Sequence, residues 1–144
     1  MRKKVLIVED EIFVALEIEQ IVEDAGFAVG AIAADRESAL ASADDCDIAL
    51  VDLNLRDGPT GPQIGMELAA RHGIRVIYVT ANPAQIGEAS VAALGVITKP
   101  FRAQSITATL QLAASEQPDL TDAEIAGFTL FRPRGSWTGM ESRG

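Results

Sequence analysis

The chain has one cysteine and one histidine among its 144 residues, and aromatics make up only 5% of it. A lone cysteine, Cys46, forms no internal disulfide, and without a Cys/His cluster there is no basis for a zinc site. So few aromatics mean an aliphatic core, for which an apolar content of 48% is ample. Basic residues are scarce too. The formal net charge is −9, with no concentrated basic stripe to offset it, so the chain repels a phosphate backbone and direct nucleic-acid binding is not expected. Long hydrophobic runs are also missing. After Met1-Arg2-Lys3-Lys4 only four apolar residues precede Glu9 and Asp10, too few for a signal peptide or a membrane span. The expectation is a soluble cytoplasmic protein without membrane association.

What the chain does have is alternation. Val5-Leu6-Ile7-Val8 and Ile48-Ala49-Leu50-Val51 are continuous apolar runs, each ending abruptly in acids: Glu9-Asp10 after the first, Asp52 after the second. Short apolar runs bounded by turn signals read as strands buried on both faces, as in parallel sheets. Between them, residues 11–25 carry Ile18, Ile21, Val22 and Ala25 at helical spacing, stopped by Gly26. Residues 27–32 then read as a strand weakened by Gly30, and 35–43 as a short helix. After Asp52 the stretch Asp57-Gly58-Pro59-Thr60-Gly61-Pro62 is turn chemistry, followed by a helix over 63–72 with Gly73 as its stop. A fourth strand, Arg75-Val76-Ile77-Tyr78-Val79, ends at Thr80. Residues 84–94 are weakly helical, Val96-Ile97 form a short fifth strand leading to Thr98-Lys99-Pro100-Phe101, and a last amphipathic helix covers 103–115. Strands alternating with helices predict a doubly wound α/β fold, a five-stranded parallel sheet with helices on both faces.

In such sheets ligands bind at the carboxyl edge of the strands, where the loops converge. Glu9, Asp10, Asp52, Thr80 and Lys99 all arrive at that edge. Clustered carboxylates repel one another and either raise a pKa or recruit a cation, and oxygen ligands without histidine or thiolate favour magnesium or calcium. Open positions for water and phosphate favour magnesium. A carboxylate beside such an ion can act as a nucleophile toward a phosphoryl group, with Lys99 and Thr80 covering its other oxygens. Rival motifs fail on spacing: the stretch from Asp52 to Gln63 lacks the Gly and final Glu of a calcium loop, and no Walker loop or Gly-x-Gly-x-x-Gly follows the first strand. A haloacid-dehalogenase-like phosphatase would need a second Asp where Asn54 stands. His72 reads as a helix C-terminal residue, Cys46 as an inert thiol, and Trp137 as a tail residue outside the chemistry.

The motifs Val8-Glu9-Asp10-Glu11, Leu50-Val51-Asp52-Leu53, Val79-Thr80-Ala81 and Lys99-Pro100-Phe101, in that order and each at a strand end, resemble the bacterial two-component response-regulator receiver domain. The resemblance spans roughly residues 3–115. It implies a flavodoxin-like sheet with strand order 2-1-3-4-5 and places the domain at 1–115. It also implies that Asp52 accepts a phosphoryl group from a histidine kinase or phosphotransfer protein. Mg2+ would be held by Glu9, Asp10 and Asp52 together with the backbone carbonyl of Asn54, while Thr80 and Lys99 grip the phosphoryl group. The chain would not be an enzyme in the ordinary sense, but would catalyse its own phosphorylation and dephosphorylation at Asp52.

Two departures from the family pattern stand out. Val96 occupies the position, three before the lysine, where the family usually has an aromatic that turns inward on activation. In place of the usual Met-Pro after the acceptor stands Leu55-Arg56-Asp57-Gly58-Pro59-Thr60-Gly61, which with Pro83 resembles receivers found as single domains or joined to sigma-factor-like stress regulators. Output is expected through protein–protein contact with an unknown effector. The surface for it would be the face of the fourth helix, fifth strand and fifth helix, around 84–115, which could also form a homodimer. Two alternatives are a phosphate sink or relay intermediate, and a phosphate-independent binding module. Residues 116–144 fall outside the alternating pattern and form a tail rather than a separate domain. There Thr121-Asp122-Ala123-Glu124 fits a capping box with Gly127 ending the turn, and 120–131 could pack on the output face or a second subunit.

Overall fold

The computed structural model describes residues 2–115 and 125–131. Five parallel strands, β1 (Lys4–Val8), β2 (Ala28–Ala33), β3 (Ile48–Val51), β4 (Arg75–Thr80) and β5 (Ala93–Thr98), lie in the order β2-β1-β3-β4-β5. Four α-helices connect or flank them: α1 (Ile12–Asp24), α2 (Arg36–Ala41), α3 (Gly61–His72) and α4 (Ala103–Ala114). This is the expected doubly wound arrangement. Among the described residues no helix is long and apolar enough to cross a membrane.

The continuous apolar runs are explained by the pleat. Successive side chains point to opposite faces, so a strand covered on both sides must be apolar throughout. Val5, Ile7, Ile48, Leu50, Ile77, Val79 and Ile97 pack on one side with Ile18 and Val22 of α1 and Ile106 and Leu110 of α4. Leu6, Val8, Ala49, Val51, Val76 and Tyr78 pack on the other with Ala39 of α2 and Ile64 and Leu68 of α3. Helix ends follow local chemistry. The Asp35 carboxylate caps α2 by accepting the Ser38 N–H at 2.9 Å, and α3 ends at Gly73, as expected.

Three features differ from the expectation. Residues Pro83–Ala92 form 3-10 turns rather than an α-helix, broken at Gly87 (φ 56°, ψ −133°). Only Ile86 and Ala89 of this stretch are buried, so it lacks the apolar stripe that holds a helix against a sheet. β5 is longer than the pair Val96-Ile97. It spans Ala93–Thr98 because it pairs with β4 from Val76↔Ala93 to Thr80↔Thr98, and the sheet has a sixth strand, β6 (Phe128–Leu130), antiparallel to β5 in the register Gly95↔Leu130, Val96↔Thr129 and Ile97↔Phe128. Part of the tail thus belongs to the sheet. The capping box at Thr121 lies outside the described residues.

Tyr78 anchors the α3 side of the core. Its buried hydroxyl lies 3.2 Å from the Pro62 carbonyl and 3.3 Å from the Ala89 carbonyl, so one donor serves both the start of α3 and the 3-10 segment. Burial pushes its pKa well up. The ring fits only because residue 65 is glycine: a Cβ there would run into the Tyr78 ring and hydroxyl. Gly65→Ala should therefore lower stability by about 1–3 kcal/mol through overpacking. Met66→Ala, at a half-exposed neighbouring position, should stay within about 0.5 kcal/mol. Urea denaturation of the two variants beside the wild type checks both.

Candidate functional site

The site is held by the ladder that makes the sheet. Each polar residue stands just past a strand, yet its backbone continues the pairing. The Glu9 N–H donates to the Ala33 carbonyl at 2.9 Å, the Asp52 N–H to Val8 at 2.9 Å and the Lys99 N–H to Thr80 at 2.9 Å. Strand pairing thus aligns the backbones of Glu9, Asp52 and Lys99 through main-chain bonds that do not involve their side chains.

The side chains then converge. The Lys99 ammonium donates to Glu9 Oε1 at 3.0 Å and to Asp52 Oδ2 at 3.1 Å. The Leu53 N–H donates to Asp52 Oδ1 at 2.7 Å, and the Glu11 N–H to Glu9 Oε2 at 3.2 Å. Side-chain exposure is 2% for Glu9, 12% for Asp52 and 20% for Lys99, so Glu9 forms the floor and the other two face the opening. Glu9, Asp10 and Asp52 each bring a carboxylate oxygen to within 4.8 Å of the others.

The electrostatics are those of an incomplete neutralisation. Three carboxylates face one ammonium, leaving two negative charges in excess. Burial pushes the Glu9 carboxyl above its ordinary range and the Asp52 charge adds to this, while the Lys99 hydrogen bond opposes both. Burial by itself would lower the pKa of Lys99, but Glu9 and Asp52 outweigh it and hold the ammonium above its usual value. Lys99 therefore stays charged at neutral pH.

A cleft of about 430 Å³ opens above this cluster, lined by Asp10, Asp52, Asn54, Thr80, Ala81 and Lys99. Thr80 is buried at its edge, its hydroxyl oxygen accepting the Asn82 N–H at 3.0 Å. The structure thus brings together all the residues singled out from the sequence, with Asn54 on the exposed rim. Sequence reasoning missed Gln85. Its amide pairs reciprocally with that of Asn54, at 3.0 Å and 3.4 Å, bridging the loop after β3 to the 3-10 segment. His72, by contrast, lies away from the site at the end of α3, 3.5 Å from Asp44, and the half-buried Cys46 thiol is 3.5 Å from the Ser42 carbonyl.

The response-regulator receiver domain matches residues 5–111, which covers every residue of this cluster. The chain belongs to the response-regulator receiver family. This receiver is similar to the phyllosphere-induced regulator PhyR of Methylorubrum extorquens, with 31% identity over 78% of this chain and 44% of that protein. Among solved structures it resembles the PhyR receiver domain of Erythrobacter litoralis (TM-score 0.71, 26% identity, 87% of this chain and 96% of that one). It also resembles the anti-anti-sigma factor PhyR of Bartonella quintana (TM-score 0.67, 29% identity, 78% of this chain and 47% of that one). The receiver spans about half the length of the curated relatives it matches.

A receiver's usual cation fits the donor set found here. All the ligand atoms are hard oxygens, and the two excess negative charges match one divalent ion.

Without metal, the raised pKa of Glu9 means that its ionised form is disfavoured in the fold. Its contribution to stability is therefore unfavourable above the raised pKa and disappears as pH falls toward the ordinary carboxyl value of 4.5. Glu9→Gln should accordingly be more stable than the wild type at neutral pH in EDTA, with the advantage shrinking on acidification. Thermal melts of both proteins across that pH range measure the difference.

Proposed function

We propose that this receiver is a phosphoacceptor in two-component signalling, taking a phosphoryl group onto Asp52 from a histidine kinase or phosphotransfer protein. The observation that carries this reading is the Lys99 ammonium, 3.1 Å from Asp52 Oδ2 and lining a cleft where three carboxylates converge. Glu9, Asp10, Asp52 and the Asn54 carbonyl are the groups that would hold Mg2+. When bound, the ion neutralises charge on the transferring phosphoryl group.

The chain's own residues do the rest. An Asp52 carboxylate oxygen attacks phosphorus and forms the O–P bond as the donor's N–P bond breaks. The imidazole leaves with that electron pair and is protonated from solvent. Lys99 stabilises equatorial charge while remaining hydrogen-bonded to Glu9, and the Thr80 hydroxyl has a hydrogen to donate to a second oxygen. Small Ala81 at the rim leaves the line of approach open. Water attacking phosphorus along the same line breaks the Asp52 O–P bond, releasing inorganic phosphate and a proton to solvent and returning the Asp52 carboxylate.

A protein donor is supported by the surface beside the cleft. Ile12 and Phe13, at the start of α1 and directly after Asp10 and Glu11, are 56% and 83% exposed. Large apolar side chains left in solvent next to an acidic site suit a partner that must bring an imidazole to Asp52. Output is through protein contact at 84–115. There Val96 faces Tyr78 across the β4–β5 pair, and the Tyr78 ring already fills that part of the core. The switch in this chain is therefore a backbone adjustment of β5 and the 3-10 segment rather than an aromatic rotation.

Intact mass after incubation with acetyl phosphate tests the acceptor chemistry. The wild type should gain one phosphoryl group only when Mg2+ is present, and Asp52→Asn should gain none. Lys99→Ala should slow the transfer by about 10²–10³-fold, the effect of removing one donor to developing charge. Label retained in Asp52→Asn, or no label from acetyl phosphate and from histidine kinases alike, would overturn the assignment.

A further inference from the structure

β6 lies where a signal from Lys99 would emerge. Successive amides at the end of β5 point to opposite neighbours: the Lys99 N–H donates to Thr80 of β4, and the Thr98 N–H donates to the Gly127 carbonyl at 3.0 Å, just before β6. The lysine in contact with Asp52 and the tail strand are thus tied to adjacent peptide units. At the other end of the pairing, the Phe131 N–H donates to the Leu94 carbonyl at 2.9 Å.

This edge is built to seat the strand. Phe128 packs with the α1–α4 side of the core and Phe131 with the α3 side, so the segment closes both layers at once. Residue 95 is glycine where the strand passes: a Cβ there would meet the Thr129 carbonyl and the Phe128 ring. The buried Ser105 hydroxyl of α4 donates to the Ala126 carbonyl at 2.6 Å, and Thr109 in turn donates to the Ser105 carbonyl at 2.7 Å. Yet the strand is only three residues long and pairs on one side, which makes it the element of the sheet with least to hold it.

We propose that the β5 edge is a strand-accepting interaction surface, held closed by the chain's own Phe128–Leu130 and opened when Asp52 is phosphorylated. The inference rests on Asp52 being the acceptor. A phosphoryl group draws Lys99 off Asp52 Oδ2 and onto a phosphoryl oxygen, with its hydrogen bond to Glu9 kept. The shift of its backbone moves the Thr98 amide off Gly127, and the weakest pairing in the sheet gives way. The released edge presents a row of unpaired N–H and C=O groups with apolar seats on both faces. It therefore suits a protein partner that adds an extended segment carrying two large apolar side chains three residues apart.

The full chain, kept phosphorylated by excess acetyl phosphate and Mg2+, should exchange its amide hydrogens at 128–131 about tenfold faster than the unphosphorylated chain, while β3 amides are unchanged. Unchanged exchange at 128–131 on protein shown by intact mass to be phosphorylated overturns this inference and leaves the acceptor reading standing. No gain of mass overturns both.

A second experiment addresses the surface directly. Thr129 is exposed and faces Val96, so Thr129→Pro removes a strand N–H without disturbing the core. A fluorescent peptide with the sequence of residues 125–131 should bind the unphosphorylated Thr129→Pro full chain about tenfold more tightly than the wild type, whose own strand competes. Equal binding, or none, overturns the assignment of the β5 edge.

Discussion

The structure depends on one electrostatic constraint: the carboxyl edge of the parallel sheet gathers more negative charge than it neutralises. Lys99 is the only ammonium among the five converging side chains, and its two hydrogen bonds hold Glu9 and Asp52 together. Moving two charges from water into a half-buried site costs more than an isolated surface pair returns. A fold shaped by stability alone would place an apolar residue at position 9, where the side chain is almost wholly enclosed. Burial raises the Glu9 pKa, in the direction that this cost requires. The site tolerates it because the backbones beneath are fixed by the β1, β3 and β4 ladders, which rest on apolar contacts over both faces.

Much of this was legible in the amino-acid order because it follows from local rules. A strand covered on both faces must be apolar at every position, so Ile48-Ala49-Leu50-Val51 announces itself, and its abrupt end at Asp52 marks the sheet edge. The polar residues at four strand ends could be assigned to one cluster because parallel strands all point their carboxyl ends the same way. Asp35 and Gly73 punctuate helices through chemistry confined to a few residues.

What could not be read depends on contacts distant in sequence. The Asn54–Gln85 amide pair joins residues 31 positions apart, and nothing in either neighbourhood marks them as partners. Phe128–Leu130 is too short to display an alternating pattern, and its pairing is decided by β5: by Gly95, which clears a path, and by the open N–H of Thr98. The 3-10 segment was misjudged for a related reason. Its composition admits a helix, but only Ile86 and Ala89 find the core, so tertiary packing supplies too little to overcome Gly87.

These same features decide where a conformational signal can travel. Tyr78 is fixed by burial and by two carbonyl neighbours, and Val96 has no ring to swing, so the α3 side of the core has no side-chain lever. Mobility has to come from backbone with few anchors, and two segments adjoining the site qualify. Residues 83–92 are held chiefly by Ile86, Ala89 and the Tyr78 hydroxyl, and β6 by a single short ladder, Ser105 and the half-buried Phe128 and Phe131 rings. Both adjoin side chains that line the cleft: the first follows Asn82, whose N–H donates to the Thr80 hydroxyl, and the second is paired to Thr98, the residue before Lys99. A densely packed sheet converts a displacement at its edge into a choice between discrete arrangements rather than a graded deformation. The excess negative charge at the sheet edge and the lightly held elements beside it therefore belong together: a divalent cation would offset the first, and the second are the parts of the fold with least to resist a displacement at that edge.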